Sequence, residues 1–198
     1  MTPEHLHRLI ITVTESVIAH EHELTALDQA IGDGDHGLNM RRGFEAVRNE
    51  AADLASKPFP DALKAIGNRL VMTIGGASGP LYGTLVIALG KEIAPDASNF
   101  PKALAGAVGA VMARGKSQPG QKTMLDVLVP VQEAVAAGGS GLAQRLPVIA
   151  RDAALATAPV RAARGRASFL GDRSMGHVDP GARSTAIIVT AICGAWEG

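Results

Sequence analysis

The chain has 198 residues, of which 46% are hydrophobic, a length and composition that suit one packed domain over residues 1–198. Basic and acidic residues both number 19, so no net charge favours nucleic acid or an acidic membrane surface as a partner. No signal peptide or membrane-spanning run is visible, so we expect a cytoplasmic protein. Aromatic residues make up only 3%, which disfavours sheets and predicts an all-α fold.

The spacing of apolar residues predicts eight helices. Thr2 and Pro3 form a typical start signal for the first of them. Most of the connecting loops are short, which fits an up-and-down antiparallel arrangement. The predicted helices cover about residues 2–20, 39–54, 61–74, 100–114, 122–137 and 142–158, with one that follows the glycine-rich stretch and ends near residue 93, and a last one from 179 onward.

A stretch rich in aspartate and glycine follows the first predicted helix. Asp28, Asp33 and Asp35 place three carboxylates close together, and at about 5 Å each pair would repel by roughly 3 kcal/mol at an effective dielectric near 20. We therefore expect a bound cation, and carboxylates without nearby cysteine favour Mg²⁺ or Ca²⁺ over zinc. The interleaved glycines let the backbone approach a ligand, so we expect an anion beside the metal.

Two other interpretations of this stretch need to be considered. It can be a polar turn before a helix, with Asp35 as the N-cap. An EF-hand is excluded, because counting from Asp33 puts Leu38 where that loop needs glycine and Phe44 where it needs glutamate. The metal site and the polar turn therefore both remain.

The second informative stretch is the glycine-rich sequence from Gly75 to Gly83, which joins two predicted helices. Backbone amides of such a turn at the start of a helix, together with the Ser78 hydroxyl, form an anion site. A tight helix crossing would also explain the glycines. Beside an acidic metal loop, we favour phosphate binding.

The sequence Gly115-Lys-Ser117 invites comparison with a phosphate-binding P-loop. The earlier glycine is Gly109, which is one residue too far back for the required spacing. A helical pattern also precedes it, where a P-loop requires a strand. We therefore exclude a P-loop at this position.

The longest predicted irregular segment runs from Arg161 to Gly181. Long loops in compact domains are usually functional or disordered. Arg164, Arg166 and Arg173 can form a solvated face, or their guanidinium groups can bind phosphate, whose oxygens they match in geometry. Both interpretations are open on these residues alone.

Four motifs in this order resemble the ADP-binding L subunit (DhaL) of dihydroxyacetone kinases, and the similarity covers nearly the whole chain. The motifs are GDGDHGLNM at 32–40, GGASGPLYGT at 75–84, RGK with PGQKTM in 114–124, and GRASFLG with GHVDPG in 165–181. The resemblance implies an eight-helix antiparallel up-and-down barrel with the nucleotide site at one end. The chain would then be a single DhaL-type domain that binds ADP and magnesium.

The resemblance also implies the site residues. In the family, two Mg²⁺ ions held by three aspartates bridge the phosphates of ADP or ATP, and these aspartates correspond to Asp28, Asp33 and Asp35. Arg166 would assist them in catalysis and contact the nucleotide. The other implied nucleotide contacts are His36, Gly37, Leu38, Asn39, Ala77, Ser78, Gly115, Met124, Asp179, Pro180 and Gly181.

Phosphoryl transfer needs in-line positioning and neutralisation of negative charge, which two Mg²⁺ ions on three carboxylates provide. In the family, a separate K subunit holds the ketone covalently, so we expect this subunit to work in a complex. In one branch, a phosphohistidine M subunit fed from phosphoenolpyruvate (PEP) rephosphorylates the bound nucleotide. In the other, ATP exchanges as a substrate. The absence of a fused K domain favours the first branch.

Other functions use the same pocket. The chain could be the L subunit of an ATP-dependent kinase for another short ketose, or a nucleotide-sensing module that contacts a transcription regulator. A metal hydrolase in which Asp35 or His36 activates water is a third alternative. A second copy of the chain is a further candidate partner, whereas direct binding of nucleic acid or membranes is not expected.

Overall fold

The computed structural model describes residues 1–197, and in that range it contains helices and no strands, which confirms the predicted all-α class. No helix in the range combines the length and apolarity needed to cross a membrane. Ten α-helices and one 3-10 helix make up the described fold. They are α1 (Pro3–Ala19), α2 (Glu21–Ile31), α3 (His36–Asn49), α4 (Ala51–Ala55), α5 (Phe59–Thr73), α6 (Ser78–Glu92), α7 (Phe100–Gly115), α8 (Leu125–Ala137), α9 (Leu142–Ala156), the 3-10 helix Arg166–Ser174 and α10 (Pro180–Glu197).

Local sequence signals explain where several helices begin and end. The Thr2 hydroxyl accepts a hydrogen bond from the backbone N–H of His5 at 3.2 Å, which caps α1 as predicted. α5, α7 and α10 each have proline in the first turn, where no backbone N–H is needed. α7 ends where Lys116 takes a left-handed conformation with φ 46°. The sequence around Gly115 is therefore a helix C-terminus and not a P-loop.

Eight of the helices pack in a closed circuit. α1 contacts α3, the packing continues through α5, α6, α7, α8 and α9 to α10, and α10 returns to α1. α2 packs on α3 and α10. The arrangement fits the predicted barrel, although its antiparallel up-and-down order stays a prediction. Buried residues at the centre of the main core include Val17, Leu24, Met40, Val111 and Leu125.

The first part of the chain differs from the predicted helices in two places. Residues 21–31 form the additional helix α2, which is anchored in the core by buried Leu24 and Ile31. The helix predicted to begin at residue 39 begins instead at His36, and it is interrupted at Glu50, which separates α3 from the short α4. The acidic loop is therefore only four residues long and is clamped between two helices, α2 and α3.

The helix predicted to follow the glycine-rich stretch begins within it, at Ser78. The second part of the chain differs from the prediction in two further places. The helix predicted from Lys122 begins instead at Leu125, because Lys122 has a left-handed backbone with φ 63° that an α-helix does not contain. The segment predicted as irregular contains a 3-10 helix, which is kinked at Gly171. Both differences fall in loops that contribute to the site described below.

Glycines allow α5 and α6 to pack very closely. A Cβ on Gly67 would lie 2.8 Å from the backbone nitrogen of Ile87, and a Cβ on Gly83 would lie 2.8 Å from the Gly67 carbonyl oxygen. A larger side chain at either position would push the helices apart. The tight helix crossing considered for the glycine-rich stretch therefore exists, and it fixes the turn between α5 and α6.

Candidate functional site

The three predicted acidic residues come together at the loop between α2 and α3. One carboxylate oxygen from each of Asp28, Asp33 and Asp35 lies within 4.8 Å of the other two. Asp28 is buried near the end of α2, whereas Asp33 and Asp35 are exposed in the loop. Three carboxylates this close repel one another and offer the oxygen ligands that a hard divalent cation prefers, so the cluster fits Mg²⁺.

Asp28 also stabilises the start of α3. Its Oδ2 accepts hydrogen bonds from the backbone N–H groups of Asp35 at 2.9 Å and His36 at 3.1 Å. The partial positive charge of a helix N-terminus stabilises a carboxylate at this position. The alternative with Asp35 as a side-chain cap is wrong, because Asp35 occupies the N-cap position but makes no side-chain capping hydrogen bond. The Asp35 carboxylate instead faces the acidic cluster.

His36 links the acidic loop to α6 and α10. Its Nδ1 lies 3.2 Å from the Ser78 hydroxyl, and its Nε2 lies 3.0 Å from the Ser184 hydroxyl. The Tyr82 hydroxyl lies 2.7 Å from the same Ser184 oxygen. Burial lowers the pKa of His36, against the opposing effect of nearby carboxylates, which favours the neutral imidazole with one donor and one acceptor nitrogen. This network fixes the Ser78 hydroxyl at the start of α6.

The turn between α5 and α6 packs on the same end of α3. A Cβ on Gly75 would lie 2.4 Å from Oδ1 of Asn39, and Arg42 donates to that Oδ1 at 2.9 Å. Gly76 has a left-handed φ of 64°, and no neighbouring atom lies within 4 Å of the point where its Cβ would stand. Room therefore exists above this backbone, next to the N-terminus of α6 and Ser78, where helix N–H groups favour an anion.

The loop between α9 and α10 reaches the acidic cluster through Arg166. Its Nη2 lies 2.9 Å from Oδ2 of Asp33. The other two arginines of the predicted cluster lie elsewhere: Arg164 donates to Oε1 of Gln121 at 3.2 Å, and Arg173 is exposed near the end of the 3-10 helix. Of the three, Arg166 is the one placed to interact with a ligand at the acidic cluster. Both groups of its ion pair are exposed, so the pair adds little stability.

The same loop ends at Asp179, Pro180 and Gly181, where α10 begins. Oδ2 of Asp179 accepts a hydrogen bond from the backbone N–H of Ala182 at 2.7 Å. Burial raises the pKa of Asp179 to about 7, so this carboxyl is partly protonated near neutral pH. A Cβ on Gly181 would lie 3.5 Å from the backbone nitrogen of Met124. The predicted contacts at Met124 and at residues 179–181 therefore lie side by side.

A pocket of about 530 Å³ lies beside the end of α7, within the size range of small-molecule sites. Gly115 lies next to it, and a Cβ at this position would come within 2.8 Å of the Ser117 hydroxyl oxygen. The pocket has two cationic side chains and several side-chain hydrogen-bonding groups, which suit a polar ligand. It is lined by Met112, Ala113, Lys116, Ser117, Gln118, Gln121 and Arg164.

The fold and the site together agree with the result of a comparison with protein families. Residues 30–194 match the family model described as DAK2 domain, a range that includes the acidic loop, the glycine-rich turn and the loop before α10. The chain belongs to the DAK2 domain family.

Two similar DAK2 proteins are ADP-binding subunits. The ADP-binding subunit DhaL of the PEP-dependent dihydroxyacetone kinase of Escherichia coli is 43% identical over 180 residues, which are 84% of this chain and 84% of that protein. The ADP-binding subunit DhaL of PEP-dependent dihydroxyacetone kinase 1 of Listeria innocua is 40% identical over 182 residues, or 90% of this chain and 89% of that protein. The resemblance to L subunits is confirmed.

A solved structure shares the DAK2 fold. The dihydroxyacetone kinase from C. freundii, in complex with AMP-PNP and Mg²⁺, superposes on this chain with a TM-score of 0.78 at 24% identity. The match covers 96% of this chain and 33% of that one. At this identity the likeness shows the fold, and it supports the all-helical architecture described above.

The structure gives one predicted site residue of this DAK2 domain a different role, and it adds one residue that the sequence analysis did not identify. A Cβ on Gly37 would lie 2.1 Å from the carbonyl oxygen of Glu21, so glycine there allows α3 to pack on α2. Leu38 is 55% exposed and Ala77 is exposed, and their nucleotide contacts stay predictions. The sequence analysis did not identify Ser184, whose hydroxyl lies 3.0 Å from Nε2 of His36. Ser184 lies one helical turn after Pro180, and this spacing could have indicated that the two residues share a role at the site.

Proposed function

We propose that this chain, as a single DhaL-type domain over residues 1–198, is the ADP-binding phosphotransfer subunit of a PEP-dependent dihydroxyacetone kinase. The observation that carries the proposal is the convergence of Asp28, Asp33 and Asp35 at the N-terminus of α3, which His36 links to the N-terminus of α6. The names of the two DhaL relatives, which are matched over 84% and 89% of their own length, supply the substrate class.

The three aspartates would hold two Mg²⁺ ions. Bound magnesium supplies neutralisation of phosphate charge and a template for in-line phosphoryl transfer. Asp28 is held by two backbone N–H groups and provides a rigid ligand. Asp33 and Asp35 are exposed, so their oxygens can be reached from solvent together with the incoming phosphates. One buried and two exposed metal-binding carboxylates suit a site in which the phosphoryl group is transferred while the metal stays bound.

The side chains around the cluster suit the phosphates of ADP or ATP. The Ser78 hydroxyl lies 3.2 Å from Nδ1 of His36 at the first residue of α6, so it is held where a phosphate oxygen would meet the helix N-terminus. The ion pair between Arg166 and Asp33 is exposed, so Arg166 can leave Asp33 and bind a phosphate instead. A guanidinium group suits this role because it can donate two hydrogen bonds to two phosphate oxygens. Leu38, Asn39 and Ala77 would complete the contacts on this side.

The nucleoside would lie towards the pocket beside α7. Gly115 borders that pocket, and Met124 packs against Gly181 in the neighbouring loop. Buried Asp179, held by the first turn of α10, would position the loop end together with Pro180. The proposal therefore places the phosphates between α3 and α6 and the base near the end of α7.

The reaction requires other subunits. None of the residues gathered at the site suggests a nucleophile that would bind the sugar covalently. A K subunit would therefore hold dihydroxyacetone. A phosphohistidine M subunit would rephosphorylate the bound ADP. A transcription regulator and a second copy of the chain remain additional proposed partners. The predicted cytoplasmic location also belongs to this proposal.

Reconstitution tests the proposal. The purified chain is mixed with ADP, Mg²⁺, a K subunit and dihydroxyacetone, and a phosphorylated M subunit is added. Formation of sugar phosphate that requires both the chain and the M subunit is the expected result. The matched control is Asp33→Ala, which removes one metal ligand and should give no product.

Three other outcomes would replace the proposal. Product formed with ATP and no M subunit identifies an ATP-dependent kinase subunit. Steady release of phosphate from ATP by the chain alone identifies a metal hydrolase. If neither donor yields sugar phosphate although the chain binds ADP, a nucleotide-sensing module that reports to a regulator is the better account.

A further inference from the structure

Lys122, in the loop between α7 and α8, has only 1% of its surface exposed. An ammonium group in the interior is costly unless hydrogen bonds satisfy it. Nζ of Lys122 donates to the carbonyl oxygens of Thr157 at 2.7 Å, Val160 at 3.1 Å and His177 at 2.5 Å, and it lies 3.3 Å from that of Ala158. All four acceptors are backbone groups, so the ammonium organises main chain and not other side chains.

These acceptors lie at both ends of one loop, the segment 157–179 between α9 and α10 that we call the closing loop. Thr157, Ala158 and Val160 follow α9 directly, and His177 precedes α10 by three residues. A single ammonium group therefore ties the two ends of the closing loop together. The loop carries Arg166, which contacts the acidic cluster.

The backbone around Lys122 has an unusual conformation that neighbouring hydrogen bonds stabilise. The left-handed backbone at Lys122, with φ 63°, is unfavourable for a residue with a Cβ and is kept only where surrounding contacts impose it. The Asp126 carboxylate provides such contacts, because it accepts hydrogen bonds from the N–H groups of Gly120 and Thr123, each at 2.6 Å. The neighbouring Gln121 carbonyl accepts a further hydrogen bond from Ala163 in the closing loop at 3.3 Å.

Electrostatics agree with this geometry. Burial lowers the pKa of Lys122, while the nearby carboxylates of Asp179 and Asp126 raise it. Asp179 lies at the end of the closing loop, where its backbone N–H donates to the Thr157 hydroxyl at 2.9 Å. The ammonium group is therefore surrounded by carbonyl dipoles of the closing loop and by the acidic side chains of Asp179 and Asp126.

We propose that Lys122 is a positioning residue for nucleotide binding, which fixes both ends of the closing loop and thereby sets where Arg166 and Asp179 stand relative to the acidic cluster. It acts through the loop backbone and not by contact with the nucleotide. The inference rests on the proposed function, since it assumes that the closing loop covers ADP.

The test compares Lys122→Met with wild type. Methionine has a similar length and no charge, so it removes the hydrogen bonds while filling most of the space. The matched control is Lys57→Met, because Lys57 is a partly exposed lysine that forms an ion pair with Asp53, four residues earlier in the chain. ADP affinity with Mg²⁺ is measured by calorimetry, and backbone order is measured by hydrogen–deuterium exchange without nucleotide.

In Lys122→Met, the ADP affinity should fall about tenfold or more, because several carbonyls lose a charged donor and the loop loses its position. Exchange should become faster in residues 157–179 and stay unchanged in the α-helices. Lys57→Met should match wild type in both measurements. If Lys122→Met does not fold, Lys122→Arg, which keeps the charge but not the shape, should show the same local increase in exchange and weaker ADP binding.

Two results would overturn the inference. One is a folded Lys122→Met protein that binds ADP within about twofold of wild type. The other is faster exchange spread over the whole bundle, which would make Lys122 a general stability residue. A wild-type protein that binds no ADP would defeat the proposed function instead, and the exchange measurement would then still decide whether Lys122 holds the loop.

Discussion

The two sides of the site are built in different ways. On the acidic side, Asp28, Asp33 and Asp35 lie in one helix–loop–helix unit, and Asp28 both joins the cluster and caps the next helix. On the other side, the closing loop is held by Lys122 through carbonyls 35 to 55 positions away in the chain. The acidic side therefore depends on local geometry, whereas the closing loop depends on contacts that exist only in the folded bundle.

This difference predicts different consequences of mutation. Loss of an acidic ligand should remove the metal and with it the nucleotide, while the chain still folds. Loss of a closing-loop contact should weaken nucleotide binding by a smaller factor, because the metal site remains. The first three variants below test that division, from the largest expected effect on ADP affinity to the smallest, and the fourth tests the buried carboxyl of the closing loop.

The largest effect is expected for Asp33→Ala. Removing a direct metal ligand should weaken ADP binding in Mg²⁺ by about a hundredfold or more, since loss of groups that only support metal ligands costs 10–100-fold. Asp33 is exposed, so helix content measured by circular dichroism should not change. Asp61→Ala, at an exposed residue paired with Lys64, is the control. Calorimetry that shows wild-type affinity for Asp33→Ala would remove this residue from the metal site.

Asp28→Ala should also lose ADP binding, but in contrast to Asp33→Ala it should destabilise the fold. Asp28 accepts two backbone hydrogen bonds at the start of α3, and loss of a helix cap costs about 1–2 kcal/mol in the free energy of unfolding. Urea denaturation of the two variants without nucleotide measures the difference. Equal stability of Asp28→Ala and Asp33→Ala would show that the capping role is unimportant.

Arg166→Ala tests the closing-loop side. The Arg166 side chain is exposed and its ion pair with Asp33 is weak, so stability should not change. ADP affinity should fall about tenfold, as expected for loss of one charged hydrogen-bond donor to phosphate. Arg173→Ala, on the same loop, serves as the control and should bind normally. If Arg166→Ala lost as much ADP affinity as Asp33→Ala, the proposed difference between the acidic side and the closing loop would be wrong.

Asp179→Asn should change the pH dependence of stability. The pKa of Asp179 is raised to about 7 in the folded protein, so the folded state keeps a proton that the unfolded state releases near pH 4. The wild type therefore loses stability through this group as pH rises from about 4 to 7, by at most about 1.4 kcal/mol per pH unit. Relative to wild type, Asp179→Asn should gain stability over that range. Parallel pH profiles of the two unfolding free energies would contradict this.

The same division explains how much of the molecule could be predicted from its sequence. The all-α class follows from composition, and the acidic cluster follows from residues close together in the chain. The cluster of arginines could not be resolved in this way, because only the folded loop shows that Arg166 turns to Asp33 while Arg164 turns to Gln121.

Local patterns also misplaced two residues. Asp35 has the sequence position of an N-cap, but Asp28 takes over the capping hydrogen bonds because α2 brings its carboxylate to the start of α3. Lys122 fits a helical pattern, but it has a left-handed backbone outside α8, where Asp126 holds the flanking N–H groups and the closing-loop carbonyls bind its ammonium group. In both cases a long-range or inter-helix contact overrides the local preference.

The central claim is that three carboxylates bind ADP through magnesium. It is tested most directly by calorimetric titration of ADP into the wild-type protein, once with Mg²⁺ and once after removal of divalent cations with EDTA. The claim predicts tight binding with Mg²⁺ and an affinity at least about a hundredfold lower in EDTA, because phosphates would then face uncompensated carboxylates. Equal affinity under both conditions would contradict it.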